Sequence, residues 1–172
     1  KIETLTRKKT LLSIHKKRIV PLQHNIFLTF PNKHYKKMDK QMIKLVDKFY
    51  NKGVMVKSET TPFDGKNFSE AKQILDYLYQ NKIYVNKYFA INEMVKYMVD
   101  NDKLPALCYI FSRRKCDEYA TKIQVPLFEK GSSIPHTIAK EAKQILINKV
   151  PNWKEYIEME EYKNMIKLLE KG

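Results

Sequence analysis

Apolar and polar positions change period several times along the chain, and each change marks an element. Leu12-Ser13-Ile14 alternates ahead of the basic Lys16-Lys17-Arg18, and Asn25-Ile26-Phe27-Leu28-Thr29-Phe30 reads as a strand closed by Pro31. Over residues 33–51, Met38, Met42, Leu45, Val46 and Phe49 fall on one helical stripe, with Gly53 as its stop. Thr60-Thr61-Pro62-Phe63-Asp64-Gly65 predicts a turn or loop. Asn67, with Glu70 three positions on, predicts a capped helix that continues through Phe68, Ala71, Ile74, Leu75 and Leu78. A further amphipathic helix carries Ile91, Met94, Val95 and Met98.

Leu104-Pro105-Ala106-Leu107-Cys108-Tyr109-Ile110-Phe111 breaks this rhythm, being short and apolar without polar alternation. Such a run predicts a central strand within residues 105–111, buried on both faces of a parallel sheet. A helix over residues 112–122 follows, with Cys116, Tyr119, Ala120 and Ile123 inward. Pro126 and Pro135 bracket a loop containing Gly131, and helices over about 137–149 and 152–171 complete at least five. Helix, buried strand, helix is an α/β pattern.

Composition sharpens the functional question. Lys and Arg number 33 against 19 Asp and Glu, a net charge of +14, while 43% hydrophobic residues suffice for a core. So large a surplus calls for a polyanion, and nucleic acid is the first candidate. Only 4 glycines count against a self-contained nucleotide-binding domain with a Gly-rich loop. Gly65-Lys66 is the only GK pair, but Thr60 stands where a phosphate loop has its first Gly, and Asn67 replaces the Ser or Thr that holds magnesium. His15, His24, His34 and His136 are scattered, and Cys108 and Cys116 lack zinc spacing. No metal or catalytic set is expected. The two cysteines predict an intracellular, reducing compartment, and Cys116 reads as a small apolar helix residue. No apolar run reaches the roughly 18–20 residues of a membrane span, so no membrane partner is expected. The Lys, Asn, Ile and Tyr bias suits an AT-rich genome, such as that of a large DNA virus.

Four basic clusters stand out: Arg7-Lys8-Lys9, Lys16-Lys17-Arg18, Lys36-Lys37 and Arg113-Arg114-Lys115. The first three read as solvated faces. The last opens a helix at the carboxyl end of the expected strand, an edge where open α/β sheets bind ligands. Ser112, Arg113 and Arg114 at a helix N-terminus suit phosphate, because free N–H groups and side chains converge on one spot. Either arginine can supply the contact.

Leu104–Thr121, LPALCYIFSRRKCDEYAT, resembles motif four of superfamily two DExH RNA helicases of the superkiller and exosome-cofactor type. That motif runs L-P-x, a hydrophobic stretch, then F-S-[RK]-[RK]-x-C-[DE]-x-x-A. Arg18-Ile19-Val20-Pro21-Leu22-Gln23-His24 is similar to the family's R-P-V-P-L-[EQ]-H, with Ile19 in place of Pro. The ending Leu168-Leu169-Glu170-Lys171-Gly172 is similar to the family's L-L-x-x-G, which leads into the next motif.

The resemblance implies an ATP-dependent helicase, of which this chain is a fragment. Residues 1–19 would end the first RecA-like domain and cross to the second; residues 20–172 would be the N-terminal part of the second, with a variable helical insertion at about 31–88. ATP and Mg would be bound by the parent protein and not by this fragment, which alone is expected to be inactive. Ser112, Arg113 and Arg114 would border single-stranded RNA or DNA, and the remainder of the helicase core would be a partner. The alternative is a non-enzymatic basic nucleic-acid-binding module, which accounts for the charge without a larger enzyme.

Overall fold

The computed structural model describes residues 20–172. Strand β1 (His24–Phe27) pairs antiparallel with β2 (Gly53–Lys57) in a two-stranded sheet, with Ile26 opposite Val54 and Phe27 opposite Gly53. Helices α1 (Asn32–Tyr35) and α2 (Lys40–Phe49) lie between the strands, and α3 (Gly65–Gln80) and α4 (Lys87–Asp100) follow. The single helix expected over 33–51 is therefore two. Asp39 divides them: it is extended, and its carboxylate accepts the N–H groups of Gln41 and Met42 at 2.9 and 2.8 Å, capping α2. Gly53 opens a strand instead of stopping a helix. Asn51, at φ 52°, turns the chain, and its N–H donates to the Leu28 carbonyl at 2.9 Å.

Helix α3 begins two residues before the expected Asn67 cap, because Asp64 does the capping: its Oδ1 accepts from the Asn67 N–H at 2.9 Å. Phe63 and Phe68, with ring centres 5.5 Å apart, flank that cap as a hydrophobic staple. The Asn67 side chain instead ties α3 to β2, donating to the Met55 carbonyl at 2.9 Å. Glu70 faces α2, 2.6 Å from Lys48 Nζ.

The apolar stripes of α2 and α3 close on the residues that follow β1. Leu28, Phe30, Met38, Val46, Phe49, Ala71, Ile74 and Leu78 form one buried cluster, in which Phe30 and Phe49 are fully enclosed. With so few glycines, the left-handed positions after α2, α3 and α4 fall to Asn51, Lys82 and Asp102, at φ 52°, 53° and 53°. A non-glycine residue there costs about 1–2 kcal/mol.

Residues 104–111 correct the expectation of a buried central strand. They form neither helix nor strand, and none of them pairs in a sheet among the described residues. Leu107 and Tyr109 are each 82% exposed and Phe111 fully so, whereas Cys108 and Ile110 line an apolar cavity over α3 and α4. Every residue of the run is exposed except the half-buried Ile110. A strand acquires two buried faces only when layers cover both, and no such pair of layers covers this run among the described residues. The fold is mixed α/β and mainly helical; its sheet is an antiparallel pair, and the parallel RecA-like core that the resemblance implies does not appear among the described residues.

Helix α5 (Arg113–Lys122) leads through a loop to α6 (Ile134–Lys149), α7 (Trp153–Glu158) and α8 (Glu160–Leu169), which pack on one another. The helix expected over 152–171 is broken at the extended Met159. The break starts α8 on Glu160 and Glu161, where acidic groups favour a helix dipole, and Lys163 sits 3.6 Å from both Glu158 and Glu160.

Candidate nucleic-acid interface

Helix α5 begins where the exposed run ends. Ser112 is extended at φ −161°, and its Oγ accepts from the Lys115 N–H at 3.4 Å, so it serves as the N-cap. Arg113, Arg114 and Lys115 fill the first turn, all exposed, with no acidic residue in that turn; Asp117 and Glu118 follow in the next. Among the described residues neither arginine has a hydrogen bond or ion pair. Three cations gathered at the positive end of a helix dipole repel it and one another. An anion docked there relieves both effects at once and meets free N–H groups of the same turn.

The turn is held in place from behind by α4. Asn92 clamps the far end of α5 twice: its Nδ2 donates to the Lys122 carbonyl at 2.9 Å, and its Oδ1 accepts the Gln124 N–H at 2.7 Å. Tyr88 donates its hydroxyl to Glu118 and meets Tyr119 edge-on, with ring centres 5.6 Å apart. Lys122 lies over the Tyr88 ring at 5.9 Å. The Cys116 thiol, half-buried, donates to the Ile110 carbonyl at 3.5 Å and joins the helix to the run before it. These contacts stand on one side of α5 and leave the arginines facing solvent.

The three residues expected to contact phosphate are thus brought together at one helix start. Arg7-Lys8-Lys9 and Lys16-Lys17-Arg18 lie outside the described residues, as do the first two residues of the Arg18–His24 motif. Lys36 and Lys37 sit exposed between α1 and α2. The positioning residues Tyr88, Asn92 and Glu118 carry no signal in the linear sequence, where they are ordinary polar members of amphipathic helices. Gly65 and Lys66 open α3, and Lys66 is exposed, its Nζ 4.0 Å from Glu70. Among the described residues no three His, Cys, Asp or Glu side chains gather to hold a metal, and no helix is long and apolar enough to cross a membrane.

Comparisons of the chain with protein-family models, with curated proteins and with solved structures find no match.

Proposed function

We propose that this chain is part of an ATP-dependent helicase and contributes a surface that grips the backbone of single-stranded RNA or DNA through Ser112, Arg113 and Arg114. ATP and Mg belong to other parts of the parent protein, and the fragment by itself turns over no nucleotide. The observation that carries the reading is the capped first turn of α5, which presents two arginines without an ion pair among the described residues and a lysine, with no carboxylate in the same turn. The F-S-R-R-x-C-D pattern over Phe111–Asp117, at the same place, supports it. An enzyme that moves along any sequence must hold phosphates and ignore base edges.

A second reading, a non-enzymatic basic nucleic-acid module, draws on one specific observation: the described sheet is an antiparallel pair. Both readings place the strand on α5.

Binding of fluorescein-labelled homopolymeric single strands at increasing salt tests the assignment. The full chain should bind poly-U and poly-A alike, within the nonspecific range of about 10⁻⁴–10⁻⁶ M, with a salt slope near −0.7 per phosphate neutralised. Replacing both arginines, Arg113→Ala with Arg114→Ala, should flatten the slope by about 0.7–1.4, while Lys36→Ala with Lys37→Ala changes it less. Equal losses from the two pairs would remove the special place given to α5. A slope unchanged by the arginine pair would do the same.

A further inference from the structure

We infer that Tyr109 and Phe111 are stacking platforms for the bases of a single nucleic-acid strand, a contact that rests on the reading that places the strand's phosphates at Arg113 and Arg114. Exposure is the first support. Tyr109 is 82% exposed and Phe111 fully so, and neither ring meets another aromatic ring among the described residues. Tyr88 and Tyr119, by contrast, pack on each other behind α5. Large apolar side chains held in water at Leu107, Tyr109 and Phe111, so close together in the chain, mark a contact surface. Place is the second support. Phe111 directly precedes the Ser112 cap, so its Cα lies no more than about 7 Å from that of Arg113, and the Tyr109 Cα no more than about 14 Å from it. At about 3.4 Å per phosphate along one strand, that reach matches about four nucleotides.

Chemistry selects the occupant. Bases present flat apolar faces, and the phosphates that link them are anionic, so a single strand answers the rings and the cations with one chain. Every base has such a face, and stacking therefore ignores sequence, as an enzyme that moves along any strand requires. A duplex keeps its bases stacked on one another and offers this surface only phosphates. A second copy of this chain covers the rings only by bringing another +14 against the same cationic turn. Arg113 and Arg114 thus attract any polyanion, whereas Tyr109 and Phe111 favour a single strand over a duplex.

Fluorescence anisotropy at low salt with the full 172-residue chain tests this against a labelled thymidine decamer, the same decamer abasic at its central positions, and a duplex of equal length. Stacking on an aromatic ring is worth about 5- to 150-fold in affinity per base. The wild-type chain should therefore bind the intact decamer at least about fivefold more tightly than the abasic one. Tyr109→Leu and Phe111→Leu keep an apolar side chain and remove the π-face, and each should weaken binding of the intact decamer about fivefold or more. Both variants should bind the abasic decamer and the duplex as the wild type does, with an unchanged salt slope, because no phosphate contact is lost. Tyr79→Leu, at a tyrosine 76% exposed on α3, is the control and should change nothing. Circular dichroism verifies that the variants fold, and the wild-type comparison of intact with abasic strands decides the matter if they do not. Equal wild-type affinity for those two strands, with a slope that still depends on the arginines, overturns the stacking and leaves the phosphate grip standing. A slope indifferent to the Arg113→Ala, Arg114→Ala pair removes the grip instead, and with it the placement on which the stacking rests. Equal losses of intact and abasic binding in the leucine variants overturn the inference, and so does self-association that Phe111→Ala abolishes, which assigns the rings to a protein contact.

Discussion

Phe49 and Phe111 set up a comparison of identical chemistry in opposite surroundings. Phe49, on the last turn of α2, is 0% exposed within the α2–α3 core, whereas Phe111, at the end of the exposed run, is fully exposed. Phe49→Ala deletes a buried ring and leaves a cavity that the surrounding side chains fill only in part, a loss of about 3–5 kcal/mol. At roughly 2–4 °C per kcal/mol for a chain of this size, the midpoint of thermal unfolding should drop by roughly 6–20 °C. Phe111→Ala removes a ring already in water and should change stability by no more than about 0.5 kcal/mol, under about 2 °C. Urea unfolding followed by far-UV circular dichroism measures both, and an unchanged m-value assigns the difference to stability. Since a domain's total stability is about 5–15 kcal/mol, Phe49→Leu, which leaves a smaller cavity, is the companion if the alanine variant does not fold. The pairing discriminates sharply, because a strand buried on both faces would give Phe111→Ala a cost like that of Phe49→Ala. A loss above about 2 kcal/mol at Phe111 would show that the run is covered in the free chain and would refute its exposed placement.

Three further outcomes are expected. Over a fourfold rise in salt, from 50 to 200 mM, the wild-type chain should lose about sevenfold more affinity for single strands than the Arg113→Ala, Arg114→Ala double variant; this follows from a slope difference of about 1.4, and fluorescence anisotropy reads it. Lys82→Gly relieves a left-handed backbone at an exposed helix end and should stabilise the protein by about 0.5–1 kcal/mol in urea unfolding, part of the relief being offset by the looser unfolded chain. The Tyr35 hydroxyl donates to Asp47, a hydrogen bond that holds the phenol pKa above its usual value. The raised value favours the protonated form in the folded state, so its contribution is complete below about pH 10 and is lost as pH rises through the native pKa. The stability gap between wild type and Tyr35→Phe should therefore stay constant to about pH 9 and close above pH 10, as urea midpoints across that range will show.

Local chemistry determined a good part of this protein. The stripe of Met42, Leu45, Val46 and Phe49 specified a helix face because a 3.6-residue period puts those positions side by side whatever the tertiary context. Ser112 ahead of Arg113 and Arg114 marked a helix start for the same reason: an N-cap acts on N–H groups two or three residues away. The surplus of 14 positive charges follows from composition alone. Caps were legible in kind but not in position. Asp64 and Asn67 are both capping residues in the same stretch, and the contact of Asn67 with Met55, twelve positions earlier in the chain, separates their roles in the folded protein.

Burial on both faces could not be read in this way. The run from Leu104 to Phe111 is apolar at every side-chain position that a two-sided strand needs, but burial belongs to the neighbours and not to the strand. Only the tertiary structure shows that Ile110 alone is partly covered, bordering an apolar cavity over the helices with the exposed Cys108, while Leu107, Tyr109 and Phe111 face water. The clamp of Asn92 on α5 was hidden for a related reason: its two hydrogen bonds reach residues 30 and 32 positions away, and no period or spacing in a sequence encodes a partner at that distance. Propensity acts over a few residues, whereas the layer that covers a strand and the side chain that aims a helix are set by packing across the whole fold.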